Sequence, residues 1–377
     1  MAQIYTNTEI FDGKKLIKNH SLVTSDGKVV DIIANSNLPY EAHITKLNHG
    51  ILSPGYVEVQ ANGGGGVLFN DEPTIQGLQT ILKAHRKFGT IAILPTFITD
   101  TPNKMALGLK AIEDGLSQNL QGLIGGHFEG PFLNIEKKGT HLPEYIRKPN
   151  KADLELLSSY NLGHSLVTLA PENVEPAFIE ALVKSGFKVA AGHTMAQKED
   201  MLKAHKAGLS GVTHLYNAMP PLMGRQPAVI GSSLALGLYN GIIVDGIHSD
   251  AYCLQFAYKA FGAERLMLVT DSMHTIGIEG ISEFMITGQK VFVKGDRLVN
   301  ENGSLAGAHI TMEQSVKNAH KLMKASVEDS LKMAITTPAQ FINIPYLSKI
   351  KGRNLNDILW LDNELNVSFL NSHSLEK

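Results

Sequence analysis

Four residues of this sequence have types and positions that suit chemistry: Glu129, His193, His214 and Asp271, each closing or following a short apolar run. A carboxylate and two neutral imidazoles suit a borderline divalent ion such as zinc. Three protein ligands leave coordination positions open for water, whose pKa the ion lowers to about 7. A buried His alone commonly does no more than satisfy a carbonyl, but three ligand-type residues that each close a run weaken that reading. Asp271 ends Leu266-Met267-Leu268-Val269-Thr270-Asp271, and a carboxylate there needs a partner. Beside an activated water it would take a proton as general base and return it to a leaving nitrogen as acid. The plainer alternative is an N-cap. Together these residues point to metal-assisted hydrolysis of an amide in a small polar substrate.

Other motifs are weaker or excluded. His127-Phe128-Glu129 has the His-x-Glu spacing of zinc deaminases, but that signature also needs Pro-Cys-x-x-Cys, and Cys253 is the sole cysteine. The run Gly63–Gly66 lacks a following Lys-Ser/Thr and is no P-loop. It reads as a tight turn or as a close approach of backbone to a ligand or strand. Arg225, in Met223-Gly224-Arg225-Gln226-Pro227, reads as solvated surface, or as a cation with a bidentate fork for a phosphorylated substrate.

The elements that must position these residues are eight apolar runs: Ile51–Gln60, Ile91–Phe97, Gly122–Phe128, Ser165–Ala170, Phe187–His193, Gly211–Leu215, Gly241–Gly246 and Arg265–Asp271. Near-continuous apolar runs suit strands buried on both faces. Helical spacing lies between them, as in Ile75, Leu78, Ile81 and Leu82, or Phe178, Leu182 and Val183. Eight βα units predict a (β/α)8 TIM barrel, whose strands carry the active site at their C-terminal ends. Gln60 and Asn62, His127 and Glu129, His193, His214 and Asn217, Asp245 and His248, and Asp271 all fall there. Residues 1–50 read as short strands with a hairpin turn at Asp26-Gly27, and Asn354–Leu370 is strand-like with a turn at Asp362-Asn363. The two ends, 1–50 and 346–377, are expected to form one small β-sandwich domain flanking a barrel of residues 51–345. Two insertions are expected: a polar loop Phe132–Pro149 and a hairpin Glu283–Val299.

The 377 residues fit one large barrel with a small accessory domain. A net charge of −2 with interspersed signs argues against nucleic acid and anionic membrane as partners. One cysteine excludes a disulfide framework and a Cys-rich metal cluster. Met1–Glu9 does not read as a secretory signal, and no run reaches the ~18 apolar residues of a membrane helix. The expected location is the cytoplasm.

Taken together, Gly126-His127-Phe128-Glu129-Gly130-Pro131-Phe132, Ala191-Gly192-His193-Thr194, Thr213-His214-Leu215-Tyr216-Asn217-Ala218-Met219, Asp245-Gly246-Ile247-His248 and Val269-Thr270-Asp271 resemble the N-acetylglucosamine-6-phosphate deacetylase family of the amidohydrolase superfamily. Leu52-Ser53-Pro54-Gly55-Tyr56 and Lys137-Lys138-Gly139-Thr140-His141 fit it in the same order. The resemblance implies that Glu129, His193 and His214 hold one divalent metal ion. Zinc is expected, and iron, manganese or cobalt would also fit those donors. It implies that Asp271 is the general base and acid, and that His141 polarises the acetyl carbonyl. It further implies that Asn217, Ala218, Arg225 and His248 grip a sugar phosphate, while Thr140 and Leu305-Ala306-Gly307 complete the pocket. Arg225 would act across the interface of a homodimer. The implied reaction converts N-acetyl-D-glucosamine 6-phosphate to D-glucosamine 6-phosphate and acetate.

The chain departs from the family pattern in Ser272-Met273-His274-Thr275, in His309 where Ser is usual, and in a short C-terminal tail. Gln60-Ala61-Asn62 stands where much of the superfamily has His-x-His, and neutral amides are poor ligands beside imidazole, which predicts one metal and not two. The alternatives are an amidohydrolase acting on a different N-acyl sugar or cyclic amide, and a catalytically dead scaffold that happens to keep its ligands.

Overall fold

In the computed structural model, residues 2–39, 43–286 and 288–373 are described; Met1, 40–42, Thr287 and 374–377, which touch the expected terminal domain and hairpin, lie outside them. Each of the eight apolar runs contributes a parallel strand: β1 (Tyr56–Ala61), β2 (Thr90–Ile98), β3 (His127–Glu129), β4 (Leu166–Leu169), β5 (Lys188–Ala191), β6 (Gly211–Val212), β7 (Tyr239–Ile242) and β8 (Leu266–Leu268). They lie side by side in chain order. The ring closes where Asp271 N donates to Gln60 O at 2.9 Å and Asn62 N to Ser272 O at 2.8 Å. Glu58 stitches this seam: its carboxylate accepts from Gln60 N at 2.8 Å and Thr270 N at 3.0 Å. Burial pushes the Glu58 carboxyl up to about 8, against those hydrogen bonds.

A helix follows each strand: α1 (Ile75–Arg86), α2 (Pro102–Ser117), α3 (Lys151–Ser158), α4 (Pro176–Lys184), α5 (Lys198–Lys206), α6 (Ala228–Leu236), α7 (Ala251–Phe261) and α8 (Met312–Lys321). Their starts carry the expected chemistry. Thr74, Thr101, Asp250 and Thr311 accept from N–H groups of the first turn, and Asn150 with Asp153 forms a capping box. Leu78, Ile81 and Leu82 of α1 pack on the strands. In α4 the buried face is Ile179 and Leu182, whereas Val183 is 37% exposed, one position round the helix from Leu182. None of the described helices is long and apolar enough to cross a membrane.

The β-sandwich draws on both ends of the chain. One sheet runs Lys28–Ala34, His20–Ser25, Gln3–Thr6, His43–Lys46; the other runs Val367–Phe369, Ile358–Leu361, Ile51–Pro54, Glu9–Phe11, Leu16–Ile17. Tyr5, Ile10, Leu22, Leu52, Ile358 and Leu370 form its core. The first apolar run is therefore two strands. Ile51–Pro54 pairs with Glu9–Phe11 and Ile358–Leu361, and β1 begins only after Gly55. A Cβ at Gly55 would sit 2.2 Å from Ile91 Cγ2, so the chain crosses between the two units where only glycine fits.

The expected hairpin Glu283–Val299 is a four-stranded antiparallel sheet: Glu283–Ile286, Gln289–Lys294, Arg297–Asn300 and Leu305–Ala308. Its last strand, Leu-Ala-Gly-Ala, has little intrinsic strand preference and is held by pairing with its neighbour. The sheet lies over Leu68, Ile98 and Met273. Gly63–Gly66 forms a tight turn: Gly63–Gly64 pairs with Val67–Leu68, and Gly65 and Gly66 take φ of +66° and +91°.

Candidate active site

The polar ends of β1, β3, β5, β6 and β8 meet at one mouth of the barrel. Glu129 and His127 are two residues apart on β3 and so share the inner face. His127 lies below, fully buried; its ring contacts Thr96 Oγ1 at 3.2 Å and Thr168 Oγ1 at 2.7 Å, and burial pushes it down to about 4. It is a neutral structural histidine.

Above it, Glu129 Oε1 lies 3.2 Å from His193 Nε2 and 3.0 Å from His214 Nε2, with 3.0 Å between the two nitrogens. All three residues are buried, and their ligand atoms lie within 4.8 Å of one another. Ligands at about 2.0–2.1 Å from a tetrahedral zinc stand about 3.3 Å apart, so this triangle has the size of a coordination face. His193 Nδ1 donates to Lys137 O at 2.7 Å, which leaves its Nε2 lone pair free toward the cluster. The donor set and its geometry fit a divalent cation. Burial opposes ionisation of Glu129, but the His193 and His214 rings against it outweigh that cost and hold the carboxyl well below its usual range. Burial likewise opposes a charge on His214, and the Glu129 carboxylate outweighs it, so that ring is raised.

Asp271 borders the same cavity. Its Oδ1 accepts from Asn62 Nδ2 at 2.7 Å and Gln60 Nε2 at 3.2 Å, and Gln60 Nε2 also lies 3.4 Å from both Glu129 oxygens. The Gln60 amide thus sits between two carboxylates as a hydrogen-bond donor, and the Asn62 amide donates to Asp271 alone. Desolvation and then the Glu129 charge raise Asp271 above the ordinary carboxylate value. That suits a group that must both accept and give back a proton. His193, His214, Ala218 and Asp271 all adopt positive φ, at +48°, +30°, +50° and +47°. Such backbone is costly for residues with a Cβ and collects where the surroundings over-determine it.

The loop after β3 brings His141 to the cluster. Its Nδ1 accepts from Thr99 N at 3.3 Å and contacts Thr99 Oγ1 at 2.8 Å, so the proton sits on Nε2. Burial and the neighbouring His193 hold His141 well below its usual pKa. It is a neutral ring with a donor to offer. The cavity, about 180 Å³, is lined by Glu129, His193, His214 and Asp271, by Thr140, His141, Asn217, Ala218 and His248, and by Leu305 and Gly307. Chemically, the arrangement offers a cation site, a proton acceptor and a neutral donor around one small polar space.

Two expected residues stand apart. Arg225 is exposed in its loop and does not border this cavity in its own chain. The Ala306 side chain faces the other way, into the apolar layer with Leu68, Ile98 and Met273, because successive strand residues alternate. Asn62, Ile98, Gly139 and Met273 also line the cavity. Thr99, which sets the His141 tautomer, was not singled out by sequence, and Asp245, which contacts His248 Nδ1 at 2.6 Å, was named there without a role. Asp245 had a signal in its position at the end of a barrel strand; Thr99 had none.

The barrel shares its fold with an enamidase described as a member of the amidohydrolase superfamily, which superposes with a TM-score of 0.58 at 11% identity, over 95% of this chain and 86% of its own. Much nearer is the crystal structure of N-acetylglucosamine-6-phosphate deacetylase from Pasteurella multocida, with a TM-score of 0.91, 33% identity and 97% of each chain covered. Among sequences, the chain is 38% identical to an N-acetylgalactosamine-6-phosphate deacetylase of Shewanella sp. (strain ANA-3), over 95% of this chain and 93% of the relative. It is 32% identical to the N-acetylglucosamine-6-phosphate deacetylase of Haemophilus influenzae, with 91% of each covered. No family model matches the chain. The chain belongs to the N-acetylglucosamine-6-phosphate deacetylase family of the amidohydrolase superfamily.

Proposed function

We propose that this chain hydrolyses N-acetyl-D-glucosamine 6-phosphate to D-glucosamine 6-phosphate and acetate, in amino-sugar catabolism and cell-wall recycling. The observation that carries the reading is the convergence of Glu129, His193 and His214 within 4.8 Å, beside Asp271, in one cavity. Glu129, His193 and His214 would hold one divalent ion, zinc on this reading, with iron, manganese or cobalt able to use the same donors. Such an ion supplies Lewis acidity, which polarises an amide carbonyl and makes water a stronger acid. His141 donates from Nε2 to the acetyl oxygen as negative charge builds there. Asp271 takes the proton of the attacking water and passes it to the sugar nitrogen as the C–N bond breaks. Asn217, Ala218 and His248 grip the phosphate, and Thr140 with Leu305 and Gly307 closes the pocket.

Arg225 of the partner subunit completes the phosphate site of a homodimer. Supporting this, Leu222, Met223, Leu234, Tyr252 and Phe256 around the Arg225 loop are exposed by 43–82%, and an exposed apolar patch of this kind marks an association surface. A cytoplasmic location follows from the substrate, since a sugar monophosphate is charged and does not cross a bilayer unaided.

A second reading is favoured by one observation, the 38% identity to a relative named for the galacto sugar: the substrate is the epimer at carbon 4. Metal-depleted and metal-restored enzyme assayed for acetate release from both epimers decides between them. Acetate only after restoration is expected, with the larger kcat/KM naming the sugar. No acetate from either, with metal content confirmed, would overturn the deacetylase reading.

A further inference from the structure

His248 lies between two anions, one already present in the chain. In Asp245-Gly246-Ile247-His248 the Asp245 Oδ1 accepts from Ile247 N and His248 N, both at 2.8 Å, and Gly246 takes a φ of +73°. This tight turn brings the ring at the fourth position back onto the carboxylate of the first, where His248 Nδ1 meets Asp245 Oδ2 at 2.6 Å. Both side chains are nearly buried, 9% and 6% exposed. Burial acts to raise Asp245, but the His248 ring and the two backbone N–H groups outweigh it and keep the carboxyl low. An ionised carboxylate only accepts, so Nδ1 carries the proton. Nε2 has no partner among the described residues, and His248 lines the catalytic cavity, whereas Asp245 borders a separate cleft behind it with Asn318 and Lys321.

We propose that Asp245 is a positioning residue that orients His248, so that with Nδ1–H on the carboxylate the ring meets the substrate phosphate through Nε2–H as a charge-assisted donor. The proposal rests on the reading of His248 as a phosphate ligand. The physical reason is direct. A neutral imidazole with its proton on Nδ1 would present a lone pair to the phosphate. The Asp245 carboxylate makes a second proton tolerable by sharing the charge, as outer partners do for functional histidines. Hydrogen bonds between charged partners are about twice as strong as neutral ones.

Asp245→Asn tests this, because Asn keeps the oxygen that accepts both backbone N–H groups and turns an amide donor toward Nδ1. The carboxylate charge facing His248 is then removed. The measured quantity is the ratio of kcat/KM for the phosphorylated sugar to that for the unphosphorylated N-acetyl sugar. A merely structural defect would lower both terms. The ratio is expected to fall about tenfold in Asp245→Asn through KM, by a similar factor in His248→Gln, and no further in the double variant, since the two act through one contact. A wild-type ratio in Asp245→Asn, or additive losses in the double variant, would overturn the proposal while leaving His248 as a phosphate ligand. A wild-type ratio in His248→Gln would overturn the phosphate reading itself, and the proposal with it. If Asp245→Asn fails to fold, Asp245→Ser keeps a turn acceptor, removes the oxygen facing Nδ1, and is held to the same ratio.

Discussion

His193 is held by the main chain of Lys137: its Nδ1 donates to the Lys137 carbonyl across 2.7 Å, while Asn134 N donates to the His193 carbonyl at 2.8 Å. The loop after β3, which also carries Thr140 and His141, is thereby joined to the cation site. A change in the loop should be felt as a change in metal affinity.

Gly139→Ala probes that joint. Gly139 has a φ of +56°, and an added Cβ would stand 3.2 Å from His193 Cε1. The methyl group should cost about 1 kcal/mol of stability through backbone strain and weaken metal binding about tenfold by turning the ring. Chelator competition reads the affinity and thermal melting of metal-free protein reads the strain. Wild-type affinity would mean that the loop and the site are independent.

Asp271→Asn should retain the metal and lose activity by about 10²- to 10⁴-fold, seen as normal metal content with little acetate released. In the wild type the base must be ionised, and desolvation and Glu129 raise its pKa. Activity should therefore fall with decreasing pH already above the ordinary carboxylate range. The Asn62 hydrogen bond acts to lower that value, so Asn62→Ala should move the acid limb of kcat/KM to higher pH. A shift the other way would count against Asp271 as the base.

Glu58 makes a prediction about stability. Its folded value of about 8 stands above the ordinary glutamate value of 4.5. Stability from this group is complete below the unfolded value and is lost as pH rises through the folded one. Between pH 5 and 9, roughly, the wild type should lose up to about 4 kcal/mol from this source, and Glu58→Gln should show a flatter profile. Urea melts of both proteins across that range provide the check; parallel profiles would assign the seam carboxylate no such role.

Leu222→Asp places a charge in the exposed patch, where Leu222 is 43% exposed. Sedimentation should show a monomer, and KM for the phosphorylated substrate should rise as Arg225 of the partner subunit is lost. A stable dimer with Leu222→Asp would move the interface elsewhere.

Much of this arrangement is legible in the sequence because burial and function leave opposite marks on one strand. Val269 and Thr270 are buried wall, and the next residue, Asp271, borders the cavity. The same contrast marks Glu129, His193 and His214. What could not be read depends on contacts between distant residues. Ile51–Pro54 and β1 form one apolar run, and only pairing with Glu9–Phe11 and Ile358–Leu361 assigns the first part to the sandwich. Leu305–Ala308 is a strand by virtue of its neighbour. Thr99 is an ordinary β-branched residue until His141, 42 positions away, arrives at its hydroxyl. Arg225 carries no local sign of where its side chain acts.

The pairing of Ile51–Pro54 with Ile358–Leu361 also bears on the order of events during synthesis. The segment leading into the first barrel strand waits for a partner that leaves the ribosome some three hundred residues later. Until then it presents a bare edge of the kind that invites wrong pairing, so the nascent chain is most vulnerable to aggregation between those two moments.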